Sequence, residues 1–290
     1  MAAEACAIVS AIRFEEQQTI WTKDYEDSLA LKTRDVFPGM MFALARPKIE
    51  QTKLWEIIKK MPKGALLHCH LEAMVDVDWL IEQAFNTKGI HIQAEAALDS
   101  ENAQEATSFT FKWLKDAAKD SSSIWTNSYI SGTFVAIEQA ANSFPQGGKD
   151  GFVSWLKTRI TITLEESLGH HHGLNDIWAK FGSCFGIIAS LLHYEPIFRL
   201  FLRRMLQALL DDGVRYVDTR AAFLVPFYKK GSEKPDEDFE YLIDVMDEEI
   251  ENFKDSEEGK DFWGARLIWT AIRSFDTRKI VESKDSILRK

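Results

Sequence analysis

From Ile177 onward, stretches with helical spacing alternate with short apolar runs, and no other feature limits the fold as tightly. Apolar positions through Phe181, Phe185, Ile188, Leu191 and Leu192 mark one helix, and a second runs from about Ile197 to Leu210. Asp211-Asp212-Gly213 ends it, and the run from Val214 to Arg220 reads as a strand. A helix over 236–254 follows, then a strand from Arg266 to Arg273. Strands separated by helices pair in parallel, because a crossover returns the chain to the same end of the sheet. The expected class is therefore α/β.

A further strand lies upstream. Pro62-Lys63-Gly64 stops a preceding helix, and Ala65-Leu66-Leu67-His68-Cys69-His70 is a short apolar run ending in two histidines. Residues i and i+2 of a strand share a face, so His68 and His70 point together while Cys69 points away. Two imidazoles on one face are a natural pair of zinc ligands, and a catalytic zinc needs at least one more protein ligand and an open position. The end of a strand is also where barrel enzymes build their sites. Three such strands are too few to close a barrel.

The rest of the chain is less regular. Residues 10–60 read as polar and helical, with an amphipathic helix from Ile49 to Lys60, and residues 76–85 resume helical spacing. Between 86 and 176 the composition shifts, with Ser121-Ser122-Ser123, Pro145-Gln146-Gly147-Gly148 and Gly169-His170-His171-His172-Gly173. The expected organisation is a helical segment over 1–60, a first strand and helix over 61–85, an insertion over 86–176, and two further strands with their helices over 177–290.

Charge and cysteine content exclude several functions. Lys and Arg total 35 against 45 Asp and Glu, a net charge of −10, and the longest basic clusters are short, such as Arg203-Arg204 and Lys229-Lys230. A nucleic-acid or anionic-membrane partner needs clustered positive charge, so neither is expected. Cys6, Cys69 and Cys184 are too scattered for a disulfide framework or a four-cysteine zinc site. The opening Met1 to Ile12 lacks a basic n-region, and the chain has no Asn-x-Ser/Thr sequon, so the reading is no signal peptide and a cytoplasmic location.

The long run Met61-Pro62-Lys63-Gly64-Ala65-Leu66-Leu67-His68-Cys69-His70-Leu71-Glu72-Ala73-Met74-Val75, followed by Asp78-Trp79-Leu80, resembles the first barrel strand of the adenosine-deaminase-related growth factors, a branch of the adenosine deaminase family. A second block agrees: Trp178-Ala179-Lys180-Phe181, Tyr194-Glu195-Pro196, and Asp212-Gly213-Val214-Arg215-Tyr216-Val217-Asp218-Thr219-Arg220. The resemblance implies a TIM (β/α) barrel of the metal-dependent hydrolase type, here its first three strands, that converts adenosine and water to inosine and ammonia. It implies an N-terminal helical segment able to form a homodimer, and an insertion after the first strand. By position, His68 and His70 would be the first two zinc ligands, Glu72 would contact the ribose, and Trp178 would lie near the nucleoside.

The later motifs of that family are missing. No His-x-Gly-Glu or Ser/Thr-x-Asn-Thr-Asp-Asp run is present, the one His-Gly is His172-Gly173 in the insertion and not on a later strand, and no histidine follows His193. A TIM barrel takes about 250 residues, and roughly 140 remain here once the N-terminal segment and insertion are set aside. The expectation is a deaminase by descent that is inactive alone, its catalytic residues not identifiable in 1–290. Alternatives are a truncated, non-catalytic paralogue serving as a dimerisation or protein-binding module, or one half of a split enzyme.

Other features carry blander readings. His170-His171-His172 reads as a solvated loop, Cys69 as a packed core residue, and Asp244, Asp247, Glu248, Glu249 and Glu251 as a solvated helix face. His70-Leu71-Glu72 matches half of the nucleobase deaminase signature, which also needs a Pro-Cys-x-x-Cys pair that is absent.

Overall fold

The computed structural model describes residues 1–24, 42–116, 122–163, 166, 173–272, 276–278 and 281. They form two units, one built on Met1–Lys63 and the other on Gly64–Thr163 with His171–Lys290. In the first unit, α1 (Ala2–Thr19), α2 (Phe42–Ile49) and α3 (Lys53–Lys60) are helical. The sequence reading runs one helix from Ile49 to Lys60, whereas the structure starts a new one at Lys53. Thr52 causes the break. Its Oγ1 accepts the Trp55 N–H at 3.0 Å, and the buried Glu16 carboxylate accepts the Leu54 N–H at 3.1 Å. Two of the free N–H groups of that helix start are thereby satisfied.

The second unit opens with β1 (Gly64–His70), a 3-10 turn (Leu71–Met74) and α4 (Val77–Asn86). Asp76 caps α4, accepting from the Trp79 N–H at 3.1 Å. Residues 86–160 then build structure that the sequence reading left as small elements. β2 (Ile90–Ala94) pairs antiparallel with β3 (Phe109–Trp113) and with the two-residue β4 (Val135–Ala136), in the order β3-β2-β4. Helices α5 (Glu101–Ala106), α6 (Ile137–Asn142) and α7 (Gly148–Ile160) flank this sheet. Trp125, Phe144, Phe152 and Trp155 pack ring on ring there, with centroids 4.8–6.2 Å apart.

The alternating half follows the expected order. α8 (Leu174–Leu192) leads to α9 (Glu195–Asp211), β5 (Val214–Ala221), α10 (Glu240–Lys254) and β6 (Gly264–Trp269). Along α9, Phe198, Phe201, Leu202, Met205, Leu206 and Leu209 are buried at the spacing of one helical face. Gly213, at φ 84°, makes the left-handed turn into β5 that a side chain would resist. β1, β5 and β6 form a parallel sheet in that order, and among the described residues neither outer edge is paired. Val217, Thr219 and Ala221 are buried in alternation along β5. Both sheets contribute to one hydrophobic core. The architecture is mixed α/β with a parallel sheet, and the barrel is not closed. No helix among the described residues is long and apolar enough to cross a membrane.

One expectation is corrected at α10. Glu249, read as part of a solvated acidic face, is 1% exposed and sits against α9. Its carboxylate accepts from Arg199 Nη1 at 2.8 Å and Arg203 Nε at 2.5 Å. Asp244, Asp247, Glu248 and Glu251 do lie on the exposed side. The acidic run was legible, but which member turns inward follows from the helical phase of Leu242, Val245, Met246, Ile250 and Phe253.

This cluster sets a pH dependence. Burial raises the Glu249 carboxyl, and hydrogen bonds from Arg203 and Arg199 outweigh it, holding the group below the usual carboxylate range. Glu195 behaves alike: burial raises it, and the Lys230 N–H, Arg199 and Tyr241 bring it down. A depressed folded pKa contributes stability that is complete above the unfolded value, about 4.3 for glutamate, and is lost as pH falls through the folded value. Urea midpoints measured from pH 7 downward are therefore expected to hold to about pH 5 and then fall, and Glu249→Gln should flatten that fall. A midpoint that rises on acidification contradicts the assignment.

Candidate metal centre and adjoining cleft

The two histidines sit where β1 departs from regular pairing. Leu66 is opposite Val217 and Cys69 opposite Thr219, so β1 spends three steps where β5 spends two. The extra residue is a bulge at 67–68, a device that re-aims side chains at the ends of strands. His68 in the bulge and His70 beyond it are both exposed, with ring centroids 5.8 Å apart and planes at 53°. Cys69 points the other way, buried, its Sγ 3.5 Å from the Asp218 carbonyl oxygen. Burial pushes its thiol up, which disfavours the thiolate a metal would need.

What surrounds the pair is less favourable to a cation. Arg220 lies beside His70 in the ladder, its Nη1 donating to the Leu67 carbonyl oxygen at 3.0 Å. Asp218 is engaged by the Tyr216 hydroxyl at 2.9 Å. Among the described residues no group of three or more His, Cys, Asp or Glu side chains is arranged to hold a metal. The donor set therefore provides two of the three or more ligands that a catalytic zinc requires. His170, His171 and His172 lie outside the described residues.

Glu72, in the turn just after β1, is not gathered with the histidines. Its side chain is 13% exposed, and Oε1 faces Nε2 of His193 at 3.5 Å. It also lines a cleft of about 300 Å³ between the turn and α8, whose other walls include Val75, Ile160, Phe181, Cys184 and Phe185. Glu72 is the one carboxylate in that lining.

Trp178 stands farther along α8 and is 62% exposed. Its ring packs edge-on against Phe181 at 5.6 Å, Phe181 against Phe185 at 5.0 Å, and Phe185 against His70 at 6.2 Å. The spacing 178, 181, 185 keeps these rings on one helical face, so an aromatic row leads from the histidine pair out to Trp178. Phe181 and Phe185 touch both the row and the cleft, and Trp178 is at its outer end. Sequence reasoning found Trp178 through a resemblance and missed Phe185 and His193. The i, i+4, i+7 spacing of Phe181, Phe185 and Ile188 was readable, but only as core.

No family model matches the chain. The chain is 27% identical to human adenosine deaminase 2 over 254 residues, covering 88% of this chain and 45% of that protein. It is 24% identical over 263 residues to an adenosine deaminase of Phlebotomus duboscqi, covering 90% of this chain and 46% of the relative. With adenosine deaminase 2 of Sus scrofa the figures are 27%, 263 residues, 90% and 47%. The chain thus spans about half the length of the curated relatives it matches. The resemblance drawn from the blocks around His68 and Trp178 is borne out: the chain is similar to part of an adenosine-deaminase-related growth factor.

Proposed function

We propose that this chain, a partial relative of the adenosine deaminase 2 proteins, is the first portion of a TIM-barrel zinc hydrolase of the deaminase type, and that residues 1–290 alone do not catalyse the reaction. The observation that carries the reading is the histidine pair: two imidazoles on one open face, at the C-terminal end of the first of three parallel strands. That is where barrel enzymes assemble their chemistry. His68 and His70 would hold two positions of a zinc ion, and the remaining donors would come from chain beyond these residues. Because the present donors do not complete the site, no hydrolytic step is assigned to them.

The same reading gives the neighbouring groups their parts. The ligand would be a purine nucleoside such as adenosine. Glu72 accepts hydrogen bonds and would take a ribose hydroxyl, while the aromatic row ending at Trp178 offers faces to a planar base. The three cysteines are all free, which suits the reducing cytoplasm. A second reading, a non-catalytic module that dimerises through its N-terminal helices, draws on Ile8 and Phe14, apolar side chains left exposed on α1.

Zinc titration tests the central part. Two ligands beside Arg220 should give binding well short of the about 10–16 kcal/mol of a complete structural zinc site. Competition with a chromophoric chelator should show that weak binding, and His68→Ala and His70→Ala should each remove it. Binding that survives both substitutions rejects the pair as the metal site.

A further inference from the structure

We propose that His193 is a positioning residue for Glu72, holding its carboxylate in the wall of the cleft in the orientation that receives a ligand hydroxyl. The role given to Glu72 rests on the nucleoside reading above; the pairing itself does not. His193 is the C-cap residue of α8, and its side chain is 4% exposed. Nδ1 lies 2.9 Å from the Val225 carbonyl oxygen, an acceptor, so the proton on that nitrogen is donated to it. One proton is thereby fixed on Nδ1, and Nε2 is turned toward Glu72 Oε1. Nε2 is fully buried and makes no hydrogen bond, and Glu72 Oε1 is the charged group it faces. With a proton already on Nδ1, Nε2 can hold the carboxylate oxygen it faces at 3.5 Å only by carrying a second proton, so the positioning role requires the imidazolium, paired as an ion with Glu72.

The ring has little freedom to do anything else. Phe198 and Phe227 flank it at 6.2 and 6.3 Å between centroids. Its backbone is stapled to the loop after β5: the Tyr228 N–H donates to the His193 carbonyl at 2.8 Å, and the Glu195 N–H to the Tyr228 carbonyl at 2.9 Å. That loop departs from β5 through Phe223, a non-glycine residue at φ 49°, buried and stacked on Phe239 at 4.9 Å. Left-handed backbone at a bulky residue is strained, and the Val225 carbonyl that receives the His193 proton lies two residues further on. The chain of contact runs from the loop after β5, through His193, to the turn after β1. The segments that follow two adjacent parallel strands are thus joined through His193.

The substitutions separate this role from simple packing. Glutamine at 193 places an amide donor near the position of Nε2, whereas asparagine reaches only the position of Nδ1 and loses Glu72. In histidine-labelled protein, Glu72→Gln should shift the His193 Nε2 resonance; an unmoved Nε2 overturns the pairing, whatever the nucleoside does. In adenosine titrations followed by equilibrium binding, His193→Asn should weaken binding about ten-fold, as loss of one hydrogen bond to a charged group does, and Glu72→Gln should weaken it similarly. His193→Gln should restore affinity to near wild type, with all variants checked for folding by near-ultraviolet circular dichroism. Folded His193→Asn that binds like wild type overturns the positioning role. A shifted Nε2 in a chain that binds no adenosine supports the positioning and removes the nucleoside as its purpose.

Discussion

Arg199→Met is expected to lower the free energy of unfolding by about 3–5 kcal/mol, the range seen when one partner of a buried ion pair is removed. Arg199 on α9 donates to Glu195 at 3.0 Å, to Glu249 at 2.8 Å and to Glu248 at 2.9 Å. Glu248 is exposed and loses little. Glu249 and Glu195 are buried, and without the guanidinium the partners left to them among the described residues are Arg203, the Lys230 N–H and Tyr241. Methionine preserves the apolar stem that packs between α9 and α10, so the loss isolates the charge. The stabilising direction is also testable: Arg199→Met with Glu249→Leu should recover part of the loss, since an apolar pair replaces a half-broken ionic one. Urea denaturation at pH 7 measures both, and a single-variant loss below about 1 kcal/mol would place the cluster among ordinary surface pairs.

The parallel half of the fold was readable because its signals are local. Gly213 stops α9, Pro196 opens it, and the apolar run from Val214 needs no distant partner to be recognised. The last strand shows the limit of that logic. Its expected span, Arg266 to Arg273, moves to Gly264–Trp269 because the ladder with β5 pairs Gly264 with Tyr216 and ends at Trp269 opposite Ala221. The antiparallel sheet of 90–136 went unseen for the same reason. β2 is five residues long, its partner β3 follows a helix, and β4 is only two residues, so the sheet exists through pairing rather than through any one segment's pattern.

The site divides along similar lines. His68 and His70 were placed on one face from strand periodicity alone, and the structure puts their rings together. The bulge that includes His68 was not legible, since a register is a property of two strands. Glu72 could be singled out, but its direction is set by His193, remote in sequence, and by the Val225 carbonyl that fixes the imidazole. Glu249 is the converse case: a charge assigned to solvent by its neighbours is drawn inside by two arginines on another helix.

For catalysis, the expected result is absence. A bound water that lacks its general base loses a contribution of about 10²–10⁴ in rate, and an incomplete ligand set loses the metal as well. Typical enzymes turn over at about 1–10³ per second, and residues 1–290 should fall at least that factor below the range. The decisive measurement is adenosine deamination by the purified, folded chain with added zinc, followed by ultraviolet absorbance, beside His68→Ala. No turnover above background, and no difference between the two proteins, is expected. Turnover at an enzyme's ordinary rate, abolished by His68→Ala, would contradict it, because residues 1–290 would then complete the zinc centre themselves.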